Sequence, residues 1–308
     1  MKILITGANG FIGSHLCAAL QSEDCARRIG ELPQLVKCSR SNIGDDFVVV
    51  GDINAYPDWN ELMEGVDVVI HLAGRVHQTK ETNSKNYTPY HLDNVQATQK
   101  LLHSAKQAGL KHFVFLSTIA VMGYESLQPL PASHVSPYND YSISKLEAEK
   151  LVRSSGLSHT IIRIPLTYGV GVKANFAYLM RMVAKGLPLP FGLVNNARSL
   201  LYVGNLTDAI IQLLSLAHKP ELLLLADIET PSNAHLVRII GDAVGKPARL
   251  LPIPPALINF AAKLLGKPLL YHQLCSSLVM DCEPSYQALD WQPPFSQIDA
   301  IKQTVIAR

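Results

Sequence analysis

Two side chains near the middle of this 308-residue chain stand at a spacing that can move a proton. Tyr141 and Lys145 are four residues apart in Tyr-Ser-Ile-Ser-Lys, so on a helix they share a face and can point at one small molecule. Of the eleven tyrosines only Tyr141 has a lysine four positions on, and it follows Ser117-Thr118 at the end of an apolar run. A phenol must fall about three units from its free pKa of ~10 to exchange protons near neutrality, which corresponds to about 4 kcal/mol. One ammonium at ~5 Å, with an effective dielectric of ~20, contributes about 3 kcal/mol of that. Tyr141 is therefore the expected general acid or base, Lys145 the group that lowers its pKa, and Thr118 the hydroxyl that orients the reacting oxygen. In isolation, a solvent-facing helix contact would be the better explanation of the pair.

The context that favours chemistry is a glycine loop. Gly7-Ala8-Asn9-Gly10-Phe11-Ile12-Gly13 sits between an N-terminal apolar run and a helical pattern, where backbone amides at a helix N-terminus can receive a pyrophosphate. Gly7 permits the tight turn, Gly10 lets the backbone approach the phosphates, and Gly13 lets the helix pack on the sheet. Asn9, Phe11 and Ile12 complete the expected cradle, although the spacing is G-x-x-G-x-x-G and not G-x-G-x-x-G. Leu72, Ala73 and Gly74 end the fourth strand, where backbone must pass close to the dinucleotide. No acidic residue stands where NAD-binding proteins hold the adenosine ribose; the second strand ends in Ser39-Arg40, which suits a 2′-phosphate. The cofactor is thus expected to be NAD(P), leaning to NADP, with a solvated loop charge as the other reading of Arg40. Asp52 and Ile53 are placed to hold and cover the adenine. An oxidised nicotinamide would add a second positive charge beside Tyr141, and Lys145 would hydrogen-bond its ribose.

These residues need a scaffold that alternates strands and helices. Strands are expected at Lys2 to Thr6, Gln34 to Ser39, Phe47 to Val50, Val66 to His71, His112 to Ser117, His159 to Ile164 and Leu222 to Leu225. Helices are expected at Phe11 to Gln21, Asp93 to Ala108, Tyr141 to Ser154 and Leu200 to Leu216. That order predicts an α/β fold: a doubly wound parallel sheet of the Rossmann type with a smaller C-terminal substrate-binding region. Residues 1–164 and 200–228 would form the dinucleotide-binding domain, and 165–199 with 229–308 the substrate-binding domain.

Composition excludes several classes. A hydrophobic fraction of 48% with 17% charged residues is that of a packed globular enzyme and not a disordered chain. Lys plus Arg exceed Asp plus Glu by 27 − 25 = 2, so no attraction to nucleic acid is implied. Five cysteines without metal-ligand spacing predict no metal and a reducing compartment. The first residues leave no room for an export signal, so the expected location is cytoplasmic. The stretch from Leu251 to Leu265 is too broken by proline to cross a membrane; a core-facing or lid helix is expected, with an amphipathic helix lying on a membrane as the alternative.

Together, T-G-x-x-G-F-I-G, H-L-A-G, S-T before V-x-G, and Y-x-x-x-K resemble the extended short-chain dehydrogenase/reductase superfamily, in its NAD-dependent epimerase/dehydratase family. Further down, Arg163 to Gly169, Val172 to Phe176 and Arg198 to Val203 look like a subgroup close to the 4-ketoreductases that form UDP-N-acetylquinovosamine for surface polysaccharide. The resemblance implies that Asn175 touches the uridine or phosphates, that Arg198 binds the pyrophosphate, that Pro165 borders the cofactor, and that Asp208 belongs to a helix start. Arg75, His77 and Tyr168 would line the sugar pocket, with loop or packing roles as the alternative. Met122 and Leu166 replace polar groups found near the sugar in many relatives, which argues for a deoxy or N-acetyl sugar. The expected activity is reduction of a UDP-4-keto-6-deoxy-N-acetylhexosamine; the alternative is a UDP-glucose or UDP-N-acetylglucosamine 4-epimerase, and a remote third is a non-catalytic NADPH-binding scaffold. A dehydratase is disfavoured because Ile119 follows Thr118 where relatives place Asp-Glu. Relatives often dimerise through the helices that here span Asp93 to Ala108 and Tyr141 to Ser154.

Overall fold

The computed structural model describes residues 1–76, 89–266 and 268–306, with side chains for all of these except 268–270. His77, a candidate pocket residue, lies outside the described residues. Seven strands form one parallel sheet: β1 (Lys2–Thr6), β2 (Gln34–Ser39), β3 (Phe47–Val49), β4 (Val68–His71), β5 (His112–Thr118), β6 (His159–Ile164) and β9 (Leu222–Leu224). Their order is β3-β2-β1-β4-β5-β6-β9, so the chain winds outward from β1 in both directions and leaves a crevice at the carboxyl ends of β1 and β4. Strands β7 (Leu166–Tyr168) and β8 (Leu200–Tyr202) pair separately in a two-stranded parallel sheet.

Burial on both faces explains why the central strands are continuous apolar runs and not alternating ones. One face packs on α1 (Phe11–Leu20), α2 (Glu23–Ile29) and α7 (Val203–Ser215) through Ile3, Ile5, Leu16 and Leu206. The other packs on α3 (Asn60–Met63), α4 (Ala97–Gln107) and α5 (Asp140–Ser154) through Leu4, Val69, Leu101, Phe113 and Ala148. A third core lies between α6 (Ala174–Ala184), α8 (Asn233–Ala243), β7, β8 and α12 (Gln297–Ile306). The remaining helices are α9 (Pro255–Leu264), α10 (Pro268–Cys275) and α11 (Glu283–Leu289). Among the described residues no helix is long and apolar enough to cross a membrane.

Two expected elements are corrected. The helix expected from Asp93 opens instead as a π-helical turn, His91–Gln96, that leads into α4. The helical rhythm expected over Leu200 to Leu216 begins with strand β8, because Leu200 to Tyr202 find a parallel partner in Leu166 to Tyr168. Helix α7 starts only at Val203.

A buried carboxylate joins the main sheet to this small one. Asp227, just beyond β9, accepts from the Tyr168 hydroxyl (2.8 Å), the Tyr202 amide (2.9 Å) and the Asn205 side chain (2.8 Å). Burial pushes its pKa up to about 6, against the opposing pull of these three donors. Asp227→Ala leaves all three without an acceptor and is expected to lower unfolding free energy by about 3 kcal/mol or more in a denaturant titration. A loss under about 1 kcal/mol would mean that water takes over the carboxylate's role.

Candidate active site

The glycine loop is built so that side chains cannot fill it. Gly7 has φ 71°, and a Cβ there would stand 3.0 Å from the Ala73 nitrogen. A Cβ on Gly13 would lie 2.2 Å from the Gly7 carbonyl oxygen. Gly10 caps α1 without any side-chain hydrogen bond, and the first turn carries no acidic residue. Its amides are therefore left for an anion. A Cβ on Gly74 would come within 2.9 Å of Asn94 Oδ1 and 4.0 Å of Lys145 Nζ, so the end of β4 runs directly past the α5 lysine. This cradle suits a dinucleotide pyrophosphate, with Asn9 exposed at its rim and Phe11 and Ile12 half-buried against the third core.

Helix α5 starts with a reciprocal cap: the Asn139 side chain accepts from the Ser142 amide, and the Ser142 hydroxyl accepts from the Asn139 amide. From that start Tyr141, Lys145 and Glu149 follow at successive turns. The Thr118 hydroxyl caps the short turn Ile119–Met122 and hydrogen-bonds with the Tyr141 phenol. Lys145 is buried, its Nζ 3.9 Å from the centre of the Phe115 ring. Burial lowers Lys145 to about 7, with Glu149 opposing, and raises Tyr141 to about 12. The expected lowering of the phenol by Lys145 is thus not met by the chain's own charges: desolvation dominates at Tyr141, and the one group that pulls it down is the Thr118 hydroxyl.

Two networks that the sequence reading missed hold this face in place. Arg163 on β6 donates to both Glu149 oxygens, Nε to Oε1 at 3.0 Å and Nη2 to Oε2 at 2.8 Å, and the Ser117 hydroxyl donates to Oε1 at 2.5 Å. One further helical step beyond Tyr141 and Lys145 would have pointed to Glu149. Beneath the loop, the Ala73 amide donates to Thr6 Oγ1, which meets His71 Nδ1 at 2.6 Å; His71 Nε2 meets Thr98 Oγ1 at 3.0 Å, and the Thr98 hydroxyl donates to the Asn94 carbonyl. That last bond makes Thr98 Oγ1 an acceptor, so His71 carries its proton on Nε2. Burial and Lys145 hold His71 down to about 3, and it stays neutral. Asn94, within the π turn, accepts from the Arg75 amide and donates to Ser144 Oγ on α5.

Beside Ile119 and Ala120 opens a cavity of about 550 Å³, lined by Tyr124, Tyr138, Pro165, Leu166, Asn175, Arg198 and mostly apolar residues of α6 and α10. Arg198 enters it, and among the described residues only its Nη1 is hydrogen-bonded, to the carbonyls of Ser276 (3.0 Å) and His272 (3.3 Å). Asn175 follows Ala174, whose φ of 54° is uncommon for a residue with a Cβ and carries strain at the cavity wall. Asp208, on α7, receives Arg28 and Trp291 and is a packing group.

Several candidate residues sit elsewhere than expected. Tyr168 is fully buried, stacked on Phe176 and bonded to Asp227, so it supports the cavity wall from behind. Arg75 is tied to Asp93 at 2.6 Å and does not line the cavity. Met122 is packed with Val121, Leu224 and Met280 and cannot approach a sugar. Ser39 is buried and its hydroxyl donates to the Ser41 carbonyl. Ile53 is in the core under β2, whereas Asp52 is exposed and 3.2 Å from Arg40 Nε. Among the described residues no group of three His, Cys, Asp or Glu side chains is placed to hold a metal.

Because folding lowers Lys145 from 10.5 to about 7, the unfolded chain binds the extra proton between those values. The lysine therefore costs stability at pH 7, and that cost vanishes as pH rises towards 10.5. Lys145→Met is expected to raise the thermal midpoint at pH 7, by an amount that shrinks as the melt is repeated at higher pH. A lower midpoint at pH 7 would show that the contact with Phe115 outweighs desolvation.

The whole-chain comparisons agree with this geometry. Residues 3–225 match the NAD dependent epimerase/dehydratase family. A UDP-glucose 4-epimerase of Vibrio cholerae is 35% identical over 99% of this chain and 95% of its own length. The N-acetyl-alpha-D-glucosaminyl-diphospho-ditrans,octacis-undecaprenol 4-epimerase of Escherichia coli O157:H7 is 25% identical over 86% of this chain and 81% of its own. Among solved structures, a UDP-glucuronic acid 4-epimerase from Bacillus cereus in complex with NAD superposes with a TM-score of 0.78 at 22% identity, covering 100% of this chain and 98% of that one. At that identity the likeness speaks for the fold alone. With its glycine cradle, its Thr118, Tyr141 and Lys145 cluster and this match, the chain belongs to the NAD-dependent epimerase/dehydratase family.

Proposed function

We propose that the protein is an NAD-dependent UDP-sugar 4-epimerase, and that residues 1–164 with 200–228 hold the dinucleotide while 165–199 with 229–308 hold the nucleotide sugar. The observation that carries this reading is the meeting of Thr118 and Tyr141, with Lys145 one turn further along α5, beside a cavity that Arg198 enters with guanidinium donors not engaged by the described residues, as a diphosphate requires. A bound nicotinamide supplies the hydride acceptor and donor and, when oxidised, a positive charge beside the phenol. Tyr141 Oη removes the proton from the sugar 4-hydroxyl as that carbon is oxidised, and returns it after the keto sugar has turned. Thr118 holds the same oxygen, and the positive charge of an oxidised nicotinamide, together with Lys145 when protonated, would favour the phenolate that the buried face alone does not. The roomy, largely apolar cavity leaves space for the sugar to turn and suits an N-acetyl methyl group against Ile119, Ala120 and Leu166.

The second reading is the 4-ketoreductase. Leu166 favours it, because its side chain is 44% exposed on the cavity wall where a 6-deoxy methyl would rest. Met122, the other residue that argued for it, is withdrawn into the core. A role in surface polysaccharide assembly and a homodimer through the π turn, α4 and α5 accompany either reading as proposals.

The purified protein, given UDP-glucose or UDP-N-acetylglucosamine, is expected to form the galacto epimer with no net change in nicotinamide absorbance. Tyr141→Phe should slow this by about a thousandfold without loss of cofactor binding. Stoichiometric oxidation of reduced cofactor by a UDP-4-keto-6-deoxy sugar, with no epimer formed, would replace the epimerase by the reductase.

For the cofactor phosphate we favour NAD over NADP. The Asp52 carboxylate lies beside Arg40, where a 2′-phosphate would need an unshared cation. Asp52→Asn is expected to shift the ratio of NADPH to NADH affinity several-fold towards NADPH in a fluorescence titration. An unchanged ratio would return Arg40 to the role of a solvated loop charge.

A further inference from the structure

Helix α9 wears its apolar face outward. Leu257, Phe260 and Leu264 recur at three- and four-residue steps and are 59%, 61% and 73% exposed, with Leu265 at 72% just beyond the helix end. Ala262, on the opposite side, is buried, and Ile258 packs on the third core, so the helix is seated and the outward stripe is a property of the folded chain. Exposed Leu193 and Leu251 extend the apolar surface, brought together by the Gly192 amide donating to the Leu251 carbonyl. A patch of this kind marks an interaction site.

Charge indicates the partner. From residue 243 to residue 280, between Asp242 and Asp281, the chain has no acidic residue, yet it carries Lys246, Arg249, Lys263 and Lys267. Lys246, Arg249 and Lys263 are exposed. A two-fold contact between copies of this face would set cations against cations. An apolar stripe whose own stretch of chain carries basic groups and no acidic ones, with Glu125 on the α10 side already held by His272, is complementary to an anionic bilayer surface, into which such a helix settles by about 5–10 Å.

We propose that α9 and its flanks dock the protein on anionic membrane surfaces. The neighbouring helix α10 contributes Gln273 and Leu274 to the cavity wall, so docking brings the cavity to the level of the headgroups. A substrate whose diphosphate carries a lipid would then reach Arg198. This last consequence rests on the sugar-diphosphate site proposed above; the docking does not.

The test is flotation of the full chain with vesicles of phosphatidylethanolamine and phosphatidylglycerol, compared with vesicles of phosphatidylcholine alone. Binding is expected only to the anionic vesicles and should weaken with salt. Leu257→Gln, Phe260→Gln and Leu264→Gln combined should abolish it while turnover of a soluble nucleotide sugar is kept. Lys263→Gln, a surface change that leaves the fold intact, should weaken it about fivefold. No binding to anionic vesicles, or equal binding by the triple variant and Lys263→Gln, would overturn the proposal. So would a concentration-dependent dimer that the triple variant loses, which would make this face a contact between copies. Because flotation needs no turnover, its failure is distinguishable from failure of the epimerase reading.

Discussion

The site depends on one buried ion pair. Glu149 and Arg163 are almost wholly removed from water, joined through two hydrogen bonds and backed by Ser117. Such a pair adds little net stability, since desolvation of both ions offsets their attraction, but loss of either partner strands a charge in the core. What it provides is placement: it locks α5 against β5 and β6 in one rotation and one register. Tyr141 and Lys145, two turns and one turn upstream of Glu149, must then face the end of β5, where Thr118 stands. A helix rolled by a third of a turn would satisfy the apolar contacts of Ala148 and Val152 less well and would leave Arg163 without a counter-ion.

From that anchor, order spreads to the dinucleotide side through hydrogen bonds with a fixed direction. Asn94 links the π turn to Ser144 of α5 and to the Arg75 backbone, while Thr98, His71 and Thr6 carry the chain to the Ala73 amide beside Gly7. The extra residue in the helical turn at His91–Gln96 is common where function demands a displaced side chain. A charged His71 would break this chain, and its burial near Lys145 keeps it neutral far below physiological pH.

On the substrate side, Asp227 plays the corresponding part. It joins the end of the last sheet strand to β8 and to Tyr168, and Tyr168 stacks on Phe176 of the cavity wall at a ring separation of 5.0 Å. Two buried acids, Glu149 and Asp227, thus fix α5 against the main sheet and the small sheet against β9. Each is surrounded by donors, so each holds its neighbours by direction as well as by contact.

The sequence by itself determined the frame. The runs at Lys2 to Thr6, Gln34 to Ser39 and His159 to Ile164 became strands with those bounds, because each opens on a polar residue and carries a short apolar centre with at least one β-branched side chain, as a sheet strand requires. Gly7 and Gly13 were legible because only glycine fits a positive φ or a Cβ position already filled by backbone. Tyr141 and Lys145 were legible because helical spacing is local. Tertiary structure alone decided what depended on distant partners. Strand β8 exists because β7 lies beside it, Tyr168 and Met122 are inside because of what covers them, and the Ser39 hydroxyl is taken up by the Ser41 carbonyl. The pKa of Tyr141 belongs to this second group: spacing places Lys145 near it, but burial of the whole face sets the proton's energy. Local periodicity reports which way a residue points, whereas desolvation and pairing depend on residues tens to hundreds of positions away.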